Sequence, residues 1–497
     1  MQISETNART ARRSVGRRFA FPTYMLAALV ALTGCAQTGW RNTVEGPGAP
    51  AWVTTSAAIS TASTAPATLA SWWTQFNDPL LDQLITEALT AAPDLRNAQA
   101  KLRQARASEN LAQANLLPSV GASASAKRSK SGSSDAQSLY SAGFDASWEP
   151  SIFGGPRDAA NAAQADAEAT AATLESTRAS LAAEVALNYI TLRSNQGRLV
   201  IARNNLASQS ETLQITEWRS LAGLVNMLDV EQARTNLEQS KATIPSLENS
   251  RAQAEHRLAL LTGQVPGALR ERLAAAQPLP KAPDSVAVGI PADTLRQRPD
   301  VRAAELSVMA ERARTAQSEA ARYPSLKLSG SFGWQALSVA SLGGADTLVS
   351  SLVGSLAQTL FDGGRIKNRI AAQNAVEEQA VISYEKTVLT ALEDVENALS
   401  AYATGRERVE ARQKAADSAR NANALARTLY QAGAADFQKV LDTDRTRLSA
   451  EDGVASAEAD VLTAVVQLYK ALGGGWQHDG SEVRNTQSND KSGLDTK

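Results

Sequence analysis

The chain holds one cysteine, two histidines and four methionines in 497 residues, with aromatics at 5% and a net charge of only -1. Each scarcity excludes something. A single cysteine, Cys35, rules out an internal disulfide framework. Two isolated histidines, His256 and His478, cannot build a Cys/His metal site with it, so no metal centre is expected. Met1 and Met25 fall in the leader, leaving Met227 and Met309, too few for a soft-metal relay. The charge balance lacks the basic surplus of a nucleic-acid binder. There is no nucleophile elbow, phosphate loop, HExxH motif or dinucleotide fingerprint, so neither a catalytic residue nor a cofactor is expected.

What is present begins with a leader. Arg9, Arg12, Arg13, Arg17 and Arg18 precede an apolar run, Tyr24 to Leu32, too short to span a bilayer as a mature helix. Leu32-Thr33-Gly34-Cys35 closes it. This pattern resembles a lipobox, which implies a signal peptide over 1–34 and an N-acyl diglyceride and palmitate on Cys35. Ala36 in place of an acidic residue fits outer-membrane sorting, and the arginines leave a twin-arginine export route open. Residues 35–70 are rich in Ser, Thr, Ala, Pro and Gly and read as a tether with little regular structure. Residues 476–497 read as a disordered tail.

Between these ends the chain repeats itself. Leu117-Pro118-Ser119-Val120 matches Tyr323-Pro324-Ser325-Leu326, and Phe153-Gly154-Gly155 matches Asp362-Gly363-Gly364. Ala222-Gly223 matches Ala432-Gly433, and Leu261-Thr262-Gly263 matches Ala471-Leu472-Gly473. The four spacings are 206, 209, 210 and 210 residues. The expected plan is a first repeat over 71–265 with a β-hairpin at 118–150, a connector over 266–290, and a second repeat over 291–475 with a β-hairpin at 324–361.

Leu81, Leu84, Ile85 and Ala88 mark one helical face, started by Asp78-Pro79 and expected to run to Leu117. Arg157 to Arg219 and Ile366 to Tyr430 are proline-free and alanine-rich. A helix of that length, roughly 90 Å, needs partner helices all along it. Tyr140, Ala142, Phe144, Ala146 and Trp148 alternate with Ser141, Gly143, Asp145, Ser147 and Glu149. Leu326, Leu328, Phe332 and Trp334 alternate with Lys327, Ser329 and Ser331. Period two over about ten residues with aromatics near the ends suits a transmembrane β-strand or an ordinary half-exposed sheet. Val120 to Ala126 and Leu348 to Leu360 are weaker strands, and Lys127 to Gln137 reads as a polar loop. Four strands per chain cannot close a membrane barrel, for which about eight is the minimum, and an open edge in lipid is costly. Pooling strands in a cyclic oligomer solves both problems. A lipidated coiled-coil scaffold would explain the helices but not the alternating strands.

The ordered motifs resemble the outer membrane factor family of tripartite exporters, in its NodT-like lipoprotein branch with a TolC-type fold. They include Trp72-Trp73-Thr74-Gln75-Phe76-Asn77-Asp78-Pro79, Trp148-Glu149-Pro150-Ser151-Ile152-Phe153-Gly154, Leu187-Asn188-Tyr189-Ile190 and Leu258-Ala259-Leu260-Leu261-Thr262-Gly263. Leu295 to Arg302, Phe361-Asp362-Gly363-Gly364-Arg365, Ala391 to Leu399 and Val440-Leu441-Asp442 continue them. The resemblance implies a mixed α and β membrane protein: a homotrimer with a 12-strand transmembrane β-barrel continuous with a 12-helix periplasmic α-barrel. It implies a passive duct for drugs and toxic compounds in the cell outer membrane, with antibiotic resistance as a consequence. The partners implied are a periplasmic adaptor, or membrane fusion protein, and an inner-membrane pump, proton-driven by first choice. Type I protein secretion and metal-ion efflux stay open as alternatives.

For the site, the resemblance implies adaptor docking at Leu221, Ala222, Gly223 and Leu224, and at Ala432, Gly433 and Ala434. It places Asp442 at the closed aperture, with Asp229 and Asp436 as further acids. The chain departs from relatives at Lys439, where some carry a second acid, at Gln438, where others carry an apolar plug, and at Ser151. A lysine ring beside aspartates would hold the aperture shut or blunt its cation preference. Arg296, Arg298, Asp300 and Arg302 read as a charged anchor for the helix after Pro299.

Overall fold

The computed structural model describes residues 51–54, 59–60, 69–283, 286–288 and 291–475, all within the unit Thr43–Lys497. Cys35, the leader, His478 and the tail lie outside the described residues. The elements in chain order are β1 (Ile59–Ser60), α1 (Pro79–Ala91), α2 (Pro93–Ala114), β2 (Ser119–Ser129), β3 (Gln137–Trp148), α3 (Gly155–Leu221), α4 (Met227–Leu261), α5 (Arg270–Leu273), β4 (Val286–Ala287), α6 (Pro291–Gln297), α7 (Pro299–Ala320), β5 (Ser325–Ala336), β6 (Leu348–Ala357), α8 (Arg365–Gln431) and α9 (Phe437–Ala471). The first half's α2, α3 and α4 have 22, 67 and 35 residues; the second half's α7, α8 and α9 have the same three lengths.

Two expectations need correction. The helix from Leu81 does not run unbroken to Leu117. Pro93 divides it, because proline disfavours helical geometry at the residue before it, and Ala92 turns extended at ψ 132. The polar loop is also shorter than Lys127 to Gln137, since Lys127, Arg128 and Ser129 pair with Leu139, Ser138 and Gln137. Backbone pairing there needs no apolar side chain. The expected helix start holds: Asp78 accepts from the N–H groups of Leu80 and Leu81 at 3.0 and 3.2 Å.

The main core lies where the helix bases of both halves meet. Trp72 is fully buried there, stacked on Tyr469 with ring centroids 5.5 Å apart and edge-on to Trp73 and Phe76. Gly474 has no room for a side chain, since a Cβ would lie 2.8 Å from the Trp72 ring and 2.8 Å from the Tyr469 carbonyl. Away from this core the seams are narrow. Ala169 and Ala172 of α3 pack on Leu306 of α7, small residues that let long helices approach closely. α3 is flanked by α2 and α7, and α8 packs on α7 and α9.

The four long strands form one antiparallel sheet in the order β2-β3-β5-β6. Directly paired residues share a face, and the register gathers aromatic residues on one face and most serines on the other, although Val349 and Val353 of β6 fall on the serine face and Ser350 on the aromatic one. Phe144 lies opposite Ala122 and Phe332, and Ala146 opposite Val120 and Gly330. The other face carries a hydroxyl ladder: Ser119 to Ser147 at 2.9 Å, Ser123 to Asp145 at 2.6 Å, Ser125 to Ser141 at 2.8 Å and Ser331 to Ser351 at 2.7 Å. Gly143 and Gly333 face each other so closely that a Cβ on Gly333 would lie 2.5 Å from the Gly143 Cα. Glycine at such a pair lets the sheet bend sharply. Among the described residues no helix is long and apolar enough to cross a membrane.

Among residues 35–70, the described stretches 51–54 and 59–60 are more ordered than a bare tether. The Glu396 carboxylate on α8 accepts from the N–H groups of Val53 and Thr54, at 2.5 and 3.1 Å, and from the Thr54 hydroxyl at 2.8 Å. Trp52 packs against the core, and β1 pairs in parallel with β4. An extended segment with backbone donors to spare is held by a single carboxylate and a strand partner, neither of which its own composition reveals. Glu396→Ala is expected to speed proteinase cleavage near Thr54 by about tenfold, as a charged hydrogen bond is worth roughly 1.5–3 kcal/mol. Unchanged cleavage would show that the carboxylate does not hold the segment.

Candidate functional site

The two helix-to-helix turns are built alike. α3 ends with Gly223 at φ 73, and α8 with Gly433 at φ 75. At the first turn the N–H groups of Gly223 and Leu224 reach back to the carbonyls of Ser220 and Arg219, at 3.0 and 2.8 Å. At the second, Gly433 and Ala434 reach Tyr430 and Leu429, again at 3.0 and 2.8 Å. This pair of bonds is the Schellman closure, and it requires a left-handed residue that glycine adopts without strain. Each following helix has a side-chain cap. Asn226 accepts from the N–H of Asp229, and Asp436 from that of Lys439, both at 3.0 Å. Asp436 is therefore the N-cap of α9.

The turns differ in surface. Leu221 and Leu224 are 87% and 68% exposed, beside exposed Trp218, Met227 and Leu228. The second turn presents Ala432, Gly433 and Ala434, all exposed but small. Arg219 ties the two together, lying 4.3 Å over the Tyr430 ring and donating to the Tyr430 carbonyl at 3.1 Å.

Asp442 is exposed on α9 and accepts from Gln438 Nε2, one turn earlier, at 3.0 Å. Lys439 is exposed, and Asp229 is half-buried in the first turn of α4. A different acid, Asp444, occupies the interior at 2% exposure. Its carboxylate receives Asn423 at 2.9 Å and Arg427 at 3.1 and 3.2 Å. Arg427 also donates to Ser208 Oγ at 2.5 Å, Arg445 to Asn236, and Arg447 to Asn205, which donates in turn to Ser240. These bonds link α3, α4, α8 and α9 just above the turns. Sequence reading singles out Asp442 and passes over Asp444. The signal was present: Phe437, Val440, Leu441 and Asp444 stand at i, i+3, i+4 and i+7, which puts an acid on the buried face.

Of the charged cluster near Pro299, Arg298 and Asp300 form an anchor, and the Arg296 side chain lies outside the described residues. Arg298 is buried and donates to Asp300 at 2.7 Å, Asp394 at 3.1 Å and the Ala471 carbonyl at 3.1 Å, closing the end of α9. Burial raises the Asp300 carboxyl, but the hydrogen bond and charge of Arg298 more than offset this and hold it below the ordinary carboxylate range. Arg302 is exposed. His256 is exposed on α4. No cluster of three potential metal-ligating His, Cys, Asp or Glu occurs among the described residues. The Phe361-Asp362-Gly363-Gly364-Arg365 motif also has a local explanation. Asp362 accepts from the N–H groups of Gly364 and Ile366 at 2.8 and 2.7 Å, and starts α8.

The profile of the family described as "Outer membrane efflux protein" matches residues 84–264 and 290–474. The pyoverdine export outer membrane protein OpmQ of Pseudomonas aeruginosa is 34% identical over 428 residues, covering 82% of this chain and 88% of that protein. The toluene efflux pump outer membrane protein TtgF of Pseudomonas putida is 30% identical over 426 residues, covering 84% and 88%. Among solved structures, the outer-membrane channel OprN superposes with a TM-score of 0.83 at 34% identity, over 88% of this chain and 99% of that one. The open-state MtrE outer membrane channel of Neisseria gonorrhoeae superposes with a TM-score of 0.77 at 27% identity, over 88% and 99%.

Proposed function

The chain belongs to the outer membrane efflux protein family, and on that premise we propose that three copies form the passive exit duct of a tripartite pump, each contributing four strands and four tunnel-lining helices. The observation that carries this is the sheet. One face is mostly apolar and aromatic, the other rich in serine, and among the described residues both outer strands keep an open edge. The apolar face suits lipid, and the hydroxyl face suits a water-filled lumen. The matched lengths of α2, α3 and α4 with α7, α8 and α9 support an internal duplication, so that a trimer presents six near-equivalent units around its axis. Lipidation of Cys35 by a diglyceride and palmitate is part of the same reading, supported by the residues before it.

The turns at Gly223 and Gly433 are the adaptor-docking ends. Leu221, Ala222, Leu224, Ala432 and Ala434 supply exposed contact surface there. Asp442, Lys439, Gln438, Asp229 and Asp436 surround the aperture above them. The cargo is small molecules, a reading favoured by the relatives named for toluene and pyoverdine export, and the inner-membrane partner proposed with it is proton-powered. Photo-crosslinking residues placed at Leu224 and Ala434 in living cells are expected to capture a periplasmic adaptor. An adaptor paired with a proton-driven pump is the outcome expected. One paired with an ATP-driven exporter would move the cargo to peptides or proteins. Properly inserted protein that captured neither would remove the docking assignment.

A further inference from the structure

Where the sheet meets the helices, the fold leaves a crevice of about 530 Å3. Its walls come from the ends of β3, β6 and α7 and the starts of β5, α3 and α8. One wall is an aromatic stack: Phe153 lies almost flat on Tyr323, with ring centroids 5.4 Å apart, and both rings remain exposed. Of the described residues that line the crevice, only Glu149 and Arg369 are charged. Neither side chain has an ion-pair or hydrogen-bond partner among the described residues.

An arginine at this place runs against local preference. Arg365 and Arg369 stand at i and i+4 on α8, where like charges repel, and near the positive end of the helix dipole. α8 has no acid in its first turn, whereas α3 carries Asp158 there. Asp362, the acid nearest in sequence, is engaged by the N–H groups of Gly364 and Ile366. The duplicate of Arg369, 209 residues earlier, is Ala160, a buried alanine. The repeated plan therefore does not demand an arginine here, and an anion from outside the chain would offset its cost.

We propose that this crevice binds the headgroup of a zwitterionic glycerophospholipid, an aminophospholipid of the leaflet facing the periplasm, with its phosphate on Arg369 and its ammonium on Glu149. The inference rests on the sheet standing in the outer membrane, as in the duct reading. The strand ends that adjoin the helices then lie at headgroup level, where amphipathic aromatic rings collect. Trp148 closes β3 immediately before the crevice, and Tyr323 lines it. Leu326 carries the lining onto the aromatic face of β5, opposite Leu356, and gives the acyl chains a path along that face. A guanidinium offers phosphate two parallel N–H donors. One base and one acid leave the lining without net charge, which suits a zwitterion. A purely anionic headgroup would face Glu149 without a cation to meet it.

Native mass spectrometry of the full-length protein, released from a mild detergent with phosphatidylethanolamine or phosphatidylglycerol added, tests the assignment. The wild type is expected to retain phosphatidylethanolamine several-fold more tightly than phosphatidylglycerol. Arg369→Ala should weaken phosphatidylethanolamine by about tenfold, as loss of a charged hydrogen bond does. Glu149→Gln should abolish the preference between the two lipids. Lys367→Ala, two positions away and therefore on another side of the helix, should change neither. Unchanged retention by Arg369→Ala, or an equal loss from Lys367→Ala, would overturn the site. Equal binding of both lipids by the wild type would overturn the zwitterion. The same spectra report the number of copies. Monomers that lost the lipid on Arg369→Ala would remove the oligomeric duct and keep the crevice, and trimers indifferent to lipid would do the reverse.

Discussion

Asp444→Ala is expected to loosen the helical tip by about 3 kcal/mol, because removing one partner of a buried ion pair leaves the other charge uncompensated. The lower end of the usual range applies because the Arg427 side chain retains 28% exposure. The loss is local. Asp444 holds Asn423 and Arg427 on α8, and Arg427 reaches Ser208 on α3, so the helices should separate just above the turns while the main core stays intact. Hydrogen exchange should show residues 423–447 opening roughly 100-fold more often, with exchange around Trp72 unchanged. Single-channel recordings should show longer or larger open events. Unaltered exchange at the tip would mean that the network contributes nothing to its closure. Asp442→Ala provides the contrast. Its carboxylate is exposed and, among the described residues, bonded only to Gln438, so stability should move by no more than about 0.5 kcal/mol. If Asp442 stands at the aperture, cation preference should change nonetheless.

Trp72→Ala is expected to cost about 3–5 kcal/mol, the usual penalty for removing a large buried aromatic side chain. Trp72 touches Tyr469 from the last helix and Trp73 and Phe76 from its own turn, and Gly474 closes over it. The cavity left would not collapse easily, since its walls come from helices tied down along their whole length. Thermal loss of the helical circular dichroism signal in detergent should occur at a clearly lower temperature. Trp218→Ala, at a side chain 60% exposed beside the first turn, should leave that midpoint almost unmoved but weaken capture of the adaptor. Equal midpoints for wild type and Trp72→Ala would show that the folding core lies elsewhere.

Much of the architecture is legible in the chain because it is written in short spacings. Alternation of period two marks β3 and β5 to within a residue or two, since successive side chains on a strand must point opposite ways. Glycines at Gly223 and Gly433 mark the turns, because the closure there demands positive φ. Prolines are less decisive. Pro93 does divide a helix, yet Pro245 sits inside α4 without ending it. A helix held along its length by neighbours can tolerate a missing hydrogen bond that would end an isolated one.

The sequence by itself determined the repeat, the strand faces, the long helices and the position of the two turns. Only the tertiary structure decided which polar groups face inward and with whom. Asp442 and Asp444 are two residues apart on one helix, yet one meets solvent and the other an arginine from α8. Glu396 lies within the Ala391 to Leu399 motif, yet it holds a segment more than 300 residues earlier in the chain. Arg298 bonds Asp394 and the end of α9, partners that no local spacing joins to it. The physical reason is one of range. Periodicity and turn geometry arise from covalent neighbours, whereas a buried charge is stable only beside the partner that packing brings to it.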